Sequence, residues 1–217
     1  STGIDHSFRY DELGRLVAYS DVSGETRQSF DQYNNLKSIV FPNGGSISYT
    51  YDLASQVTNI EVIGTDGGES FITSYEYDAI GNIVRVIDPK SGVTELDYDA
   101  AGQLMSQRYA NGIVGTYDYD ITGRIKEIRY QRNDVSLIDM DFEFGLSNAP
   151  EKISFEDGSF VEYTYDDNFR LTREQLFETI DQVLAEYRYH YSEAGNRVET
   201  VRNGTTSTSV FKTGGQL

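Results

Sequence analysis

The stretch TYDYDITGR, residues 116–124, holds two carboxylates, Asp118 and Asp120, two positions apart. On a β-strand, side chains at i and i+2 share a face. The pair therefore has the outline of a glycosidase carboxylate couple or of part of a divalent-cation site. Other catalytic groups are scarce. His6 and His190 are the two histidines of the chain. Neither has an identifiable Ser and Asp partner for a nucleophilic triad, and they are too few for a histidine-based metal centre. The Gly-rich run GTDGGES leads into a strand pattern and not a helix, so it does not fit a phosphate-binding loop. With no cysteine, thiolate chemistry and disulfides are excluded.

The elements that would carry Asp118 and Asp120 are repeated along the chain, which changes their meaning. Matching segments begin at Tyr10 (YDELGRL), Phe30 (FDQYNNL), Tyr51 (YDLASQV), Tyr77 (YDAIGNI), Tyr98 (YDAAGQL), Tyr119 (YDITGRI) and Tyr165 (YDDNFRL). Weaker copies begin at Phe144 (FGLSNAPEKI) and Tyr191 (YSEAGNRV). The nine starts, near 10, 30, 51, 77, 98, 119, 144, 165 and 191, are 20 to 26 residues apart, a period that marks a repeat architecture. A carboxylate pair that recurs with every unit is not the single special constellation that catalysis requires, and the chain reads as non-catalytic, with no cofactor and no bound metal.

Each unit has one grammar. Asp opens a turn by accepting hydrogen bonds from amides ahead of it, and Gly three residues later takes a left-handed conformation without a Cβ clash. Asp-x-x-Gly is thus a type I turn with a G1 bulge, built on Tyr10, Asp11 and Gly14, on Tyr51 and Asp52, on Tyr77, Asp78 and Gly81, on Tyr98, Asp99 and Gly102, on Tyr119, Asp120 and Gly123, and on Tyr165 and Asp166. Gly195 fills the glycine slot of the last unit, Asn34 and Ser55 substitute in two others, and Phe169 predicts a different turn. An aliphatic arm follows each turn. A second turn (VSGE, PNGG, TDGG, PKSG, ANG, RND, EDG, RNG) precedes a returning arm that ends in aromatic-x-aromatic. Period two with a turn at both ends predicts an antiparallel β-meander of about 18 strands. Leu176, Ile180, Val183, Leu184 and Tyr187 have helical spacing, but alignment of 171–191 with 57–77 predicts a long hairpin turning at 179–181.

At about 4.8 Å per strand, such a strip is expected to form a curved or spiralling sheet, an open hollow barrel or a shell segment, since barrels of 16 or more strands leave a lumen. The aromatics are expected to stack in rows from unit to unit. Between the paired aromatics lies a variable position, which is acidic in mid-chain: Glu76, Asp97, Asp118 and Glu143. Two readings stay open. These carboxylates pair with cations on neighbouring arms (Lys37, Arg85, Arg108, Lys126, Arg129 and Arg173 are available), or they face a ligand. Asp120 belongs to the recurring turn, so of the opening pair Asp118 is the one positioned to touch something outside the fold.

Of the 217 residues, 38% are hydrophobic and 13% aromatic, with 17 Tyr, 11 Phe, 20 Gly and 3 Pro. This usage suits wetted β surfaces more than a thick apolar core. A net charge of −17 repels nucleic acid, and no apolar run approaches the roughly 20 residues of a membrane helix, so neither nucleic-acid binding nor membrane insertion is expected. Tyrosines on a polar wall serve either to hold the wall together or as sugar platforms. Unpaired strands at the two ends, near Phe8 and Val210, favour end-to-end self-association.

The YD-x-x-G-[RNQ]-[LIV] core, covering about 8–201, resembles the YD repeats of bacterial Rhs proteins, of insecticidal toxin-complex shell subunits and of animal teneurins. The resemblance implies a β-strip wound into a hollow shell, in the toxins around a C-terminal toxic domain, and in teneurins an adhesive role with carbohydrate as a ligand. It further implies a secreted or cell-surface bacterial protein. The aspartates of the self-cleaving core end are not identified. Asp88-Pro89-Lys90-Ser91-Gly92 is similar to the DP-x-G stretch but occupies an ordinary repeat turn. The expected organisation is a single YD-repeat β domain over 1–217, a fragment of a longer protein whose partners are its neighbouring repeats and an encapsulated toxin domain or a carbohydrate.

Overall fold

The turns dictate the fold. In the first unit the Asp11 N–H donates to the Arg15 carbonyl and the Gly14 N–H to the Asp11 carbonyl, both at 3.0 Å. The same two bonds recur at Asp31, Asp52, Asp78, Asp120, Asp166 and Ser192. Each closes the chain into an antiparallel hairpin, and the strand register shifts by a bulge just ahead of the turn Asp or Ser, as at Arg9/Tyr10 and Asp118/Tyr119.

The computed structural model describes residues 6–65 and 68–208. Among them are nineteen strands and no helix. They are β1 (Ser7–Tyr10), β2 (Leu16–Asp21), β3 (Gly24–Phe30), β4 (Leu36–Val40), β5 (Ser46–Tyr51), β6 (Val57–Ile63), β7 (Ser70–Tyr77), β8 (Ile83–Asp88), β9 (Gly92–Tyr98), β10 (Leu104–Tyr109), β11 (Ile113–Tyr119), β12 (Ile125–Arg132), β13 (Val135–Phe144), β14 (Pro150–Phe155), β15 (Phe160–Tyr165), β16 (Leu171–Thr179), β17 (Gln182–Tyr191), β18 (Arg197–Arg202) and β19 (Thr205–Thr208). The fold is all-β, and the strands belong to one antiparallel sheet. Two compact units are distinguished, one of residues 1–102 and 107–111, the other of 103–106 and 112–217. In the first, β1 to β9 pair in chain order. In the second, β11 to β19 do so.

The core is thin. Ala18, Phe160, Val161 and Phe177 are the buried hydrophobic side chains among the described residues, and no large side chain is fully buried. Phe160 stacks on Phe177 with ring centroids 4.5 Å apart. Elsewhere most strand side chains are half-buried, as throughout β8 and in all but one position of β5, and those of the end strands β1 and β19 are exposed. The long-hairpin reading of 171–191 holds: β16 and β17 pair with Thr179 opposite Gln182. The TDGG turn falls partly on 66–67 and the Val210 edge on 209–217, both outside the described residues.

One turn differs from expectation. Phe169 takes φ 58°, and its N–H donates to the Asp166 carbonyl at 2.9 Å. This is the common turn and not a different one. The Asp166 carboxylate accepts from the Asn168 and Arg170 amides, both at 3.0 Å, so the cap overrides the left-handed strain of a bulky residue. The unit that does depart begins at Phe144. It lacks the Asp, and the Ala149 N–H donates instead to the Ser147 hydroxyl at 3.2 Å.

Candidate functional site

The repeated turn is the most organised polar feature of the chain. Its Asp Oδ1 accepts from the amides two and four residues ahead: Asp52 from Ala54 and Gln56 at 2.8 and 2.9 Å, Asp78 from Ile80 and Asn82 at 3.0 and 2.9 Å, and Asp120 from Thr122 and Arg124 at 2.8 and 3.1 Å. Asp99 accepts from Ala101 at 2.8 Å. Where Arg follows the left-handed residue, its guanidinium returns to the second oxygen, giving ion pairs Arg15–Asp11, Arg124–Asp120 and Arg170–Asp166 of 2.6 to 2.7 Å. The Arg15 hydrogen bond holds the Asp11 carboxyl below the usual carboxylate range, and that of Arg170 does the same for Asp166. The left-handed slot has φ between 77° and 95° at Gly14, Gly81, Gly102 and Gly123.

Successive units are joined by two further contacts that the sequence reading missed. In the first, the hydroxyl of the YD tyrosine donates to the backbone carbonyl of the preceding unit's outgoing arm. Tyr51 reaches Leu36 at 2.7 Å, Tyr77 reaches Val57 at 2.7 Å, and Tyr98 reaches Ile83 at 3.0 Å. Tyr119 reaches Leu104 at 3.0 Å, Tyr165 reaches Pro150 at 2.8 Å, and Tyr191 reaches Leu171 at 2.8 Å. The link at these positions is hydroxyl to carbonyl, where ring stacking from unit to unit was expected. The ring pairs Phe8–Tyr19, Tyr117–Tyr130 and Phe160–Phe177 lie across single hairpins. Tyr10, in the opening unit, is exposed.

In the second contact, the residue after the left-handed slot reaches forward onto the next turn. Arg15 covers the Phe30 ring and Arg124 the Phe144 ring, each with its guanidinium 4.5 Å from the ring centroid. Arg124 also donates to the Ser147 carbonyl at 3.2 Å, and Gln103 donates to the Gly123 carbonyl at 3.1 Å. Arg170 covers the Tyr191 ring in the same way at 4.7 Å, although Tyr191 keeps its carbonyl bond, whereas Phe30 and Phe144 have no hydroxyl to make one. The recurrence of Arg at this slot, at 15, 124 and 170, was the signal for the contact visible in the sequence.

Between adjacent turns lie open grooves. One, of about 640 Å³, is bounded by Phe30, Tyr33, Lys37, Tyr49, Tyr51 and Leu53. Another, of about 400 Å³, is bounded by Leu146, Glu151, Tyr163, Tyr165, Asp166 and Phe169. The floors correspond in the repeat: Tyr49-Thr50-Tyr51-Asp52 in one, Tyr163-Thr164-Tyr165-Asp166 in the other.

The acidic positions divide. Glu76 meets Arg85 at 3.2 Å, Asp97 meets Arg108 at 2.5 Å, and Glu143 meets Lys152 at 3.8 Å, each across a strand pair. These three fit cross-strand charge pairing. Asp118 is exposed and stands opposite Glu127, which in turn stands opposite Asp141. Burial pushes the Glu127 carboxyl up, Arg129 opposes that shift, and Asp141, Asp139 and Asp118 add to it. Among the described residues no group of three or more His, Asp or Glu is gathered to hold a metal ion.

An all-β meander of capped, tyrosine-linked hairpins defines a YD-repeat protein. The family model described as "Teneurin YD-shell" matches residues 62–213, more than half of the chain, and the chain belongs to that family. Among solved structures, "Crystal Structure of TcdB2-TccC3-TEV" is similar over 97% of this chain and 14% of that one, at 16% identity and a TM-score of 0.66. A Photorhabdus luminescens Tc holotoxin pore structure is similar over 92% of this chain and 12% of that one, at 16% identity and a TM-score of 0.62. At such identity the likeness concerns the fold. The chain spans about one seventh of the length of the first of these structures. No curated protein matches it at a significant level.

Proposed function

We propose that this chain is a non-catalytic wall segment of a hollow β-shell, part of a larger exported protein that encloses a toxic domain, and that 1–217 acts as one repeat domain. The observation that carries the reading is recurrence: the Asp cap, the tyrosine link and the forward-reaching Arg or Gln return from unit to unit within a family of shell proteins. Such contacts build a wall, whereas catalysis needs one position unlike the rest. The residues of the repeated turn are structural in this reading, and the outer edges of strands β1 and β19 provide for end-to-end association. Small-angle scattering tests it. A wall segment gives a radius of gyration well above the about 17 Å of a compact chain of this length, and a value at that limit overturns it.

A second reading is favoured by the groove carrying Tyr33, Tyr49 and Tyr51: a carbohydrate-binding module at a cell surface, with the exposed Asp118 as a further ligand-facing group. Titration against a glycan panel tests it, and absence of binding at millimolar sugar rejects it.

A further inference from the structure

Hairpins of unequal length leave a gap in the sheet of the second compact unit. β12 and β13 turn at 133–134, with Arg132 opposite Val135. β14 and β15 turn sooner, and β14 pairs no further along β13 than Met140, which stands opposite Phe155. Val135 to Asp139 therefore have β12 on one edge, and no backbone partner stands on the other among the described residues. This open edge is about 17 Å long at strand rise. β16 also outruns its neighbour, since Glu178 and Thr179 lie past the Phe160–Phe177 pair. Between β13 and β16 the sheet leaves the two strand positions that a longer β14 and β15 would fill.

The gap is a notch of about 590 Å³, lined by 137–140 of β13 and by 155–157 of the shorter hairpin. Consecutive strand residues point to opposite faces. A cavity that touches all of 137–140 thus lies against the edge of β13 and not over one face of the sheet. This edge lacks the usual protection. Val135, Leu137 and Ile138 are 63%, 51% and 45% exposed, and 135–138 hold neither Lys nor Pro, the residues that blunt open edges.

The lining is also negative. Its charged residues are Asp139, Glu156 and Asp157. Glu156 and Asp157 make no ion pair among the described residues. Asp139 accepts from Arg129 at 3.0 Å through one oxygen, and its other oxygen is buried without a hydrogen-bond partner. The cations opposite this stretch, Arg129 and Arg132, stand on β12, beyond β13. Lys152 of β14 lies over the Phe160 ring, 4.4 Å from its centroid.

We propose that this notch binds an extended peptide strand, apolar at alternate residues with Lys or Arg between them, which adds to the open edge of β13. Backbone groups of 135–139 pair with those of the peptide, the exposed aliphatic side chains receive its apolar residues, and the carboxylates receive its cations. A helix has no free backbone groups to offer an edge. Acidic peptides and nucleic acid are repelled by the lining. A second copy of the chain would bring the same carboxylates against themselves, on a body of net charge −17.

A fluorescein-tagged peptide, Thr-Val-Lys-Val-Lys-Val-Thr, tests the docking on the full chain. Its control is the same peptide N-methylated at every residue, which keeps the side chains and charge but has no N–H left to pair. Fluorescence anisotropy is expected to give saturable binding with a Kd of about 100 μM, and binding weaker by about tenfold or more for the control. Hydrogen–deuterium exchange is expected to slow at 135–139 when the peptide is added. Leu137→Lys, which places a charge on the edge, should weaken binding about tenfold and Glu156→Lys about threefold, each with unchanged circular dichroism. Equal binding of the two peptides makes the attraction one of charge alone and overturns the proposal. So does absence of binding at about 1 mM peptide, or exchange that slows at β1 or β19 in place of 135–139. Dimerisation of the chain without peptide, with slowed exchange at 135–139, gives the edge to a second copy and rejects the peptide. Should Leu137→Lys disturb folding, Glu156→Lys gives the independent reading: weakened binding supports the notch and unchanged affinity rejects it.

Discussion

Removing the hydroxyl of Tyr77 isolates the contact that joins one unit to the next. In the native chain this hydroxyl donates to the Val57 carbonyl at 2.7 Å in a half-buried setting. A net hydrogen bond of this kind is worth about 1 kcal/mol, so Tyr77→Phe is expected to lower stability by about 1 kcal/mol and Tm by roughly 2–4 °C for a chain of this size. The fold already contains an alternative. Where the slot holds Phe30 or Phe144, a guanidinium from the preceding unit lies 4.5 Å from the ring centroid. In the unit before Tyr77 the equivalent residue is Gln56, whose side-chain amide points to the Gly81 carbonyl at 3.5 Å. Gln56→Arg should supply a cation–π contact worth about 0.5–1 kcal/mol. The double variant Gln56→Arg/Tyr77→Phe should therefore melt within about 2 °C of the wild type. Urea titration of the four proteins, followed by tyrosine fluorescence and far-ultraviolet dichroism, reads the cycle. The reasoning fails if Tyr77→Phe leaves stability unchanged, or if Gln56→Arg gives no recovery when added to Tyr77→Phe.

Gly102→Val should cost about 1 kcal/mol or more, because Gly102 sits at φ +81° with nothing within 4 Å of a built Cβ; backbone strain is then the whole effect, and thermal melting measures it. Glu127→Gln should raise stability at pH 7 by about 0.5–1 kcal/mol, since it removes a carboxylate placed between Asp118 and Asp141; the gain should shrink as pH falls towards the elevated pKa of Glu127 and the native carboxyl becomes neutral, which melting at pH 7 and pH 4 checks. Hydrogen bonds from the Ser23 hydroxyl and the Tyr19 hydroxyl hold Asp21 at about 2, and bonds from the Ser91 amide and hydroxyl hold Asp88 at about 2, both from an ordinary 3.8. Their folded values lie below the unfolded one, so their contribution is present above pH 4 and is lost as pH falls from about 4 to about 2; an acid titration of the melting temperature should show its steepest loss there, and Asp88→Asn should flatten it.

The turn grammar was legible because Asp and Gly act locally: a carboxylate capping amides two and four residues ahead, and a Cβ-free residue at positive φ, need nothing from the rest of the chain. The long hairpin at 171–191 was legible for a related reason, since the register of neighbouring units outweighs an accidental helical spacing. Phe169 was misread because the turn was credited to its left-handed residue, whereas the Asp166 cap and the Arg170 ion pair hold it. The tyrosine-to-carbonyl bond was not legible from single-residue patterns because its acceptor is backbone, 15 to 20 residues upstream, and any residue supplies a carbonyl. The grouping of Asp118, Glu127 and Asp141 required the strand register across β11, β12 and β13, which the alternation of side chains alone does not give.

The tyrosine bond also has a direction. The acceptor always lies earlier in the chain than the donor, and so does each guanidinium that covers a later ring. A ribosome delivers the N-terminal unit first. Each hairpin therefore emerges beside a neighbour that already presents the carbonyl for its tyrosine and, in places, the cation for its aromatic face. The next hairpin is received by a finished template and then becomes the template for its successor, so the repeat can lengthen at its C-terminal side without any earlier contact having to be remade.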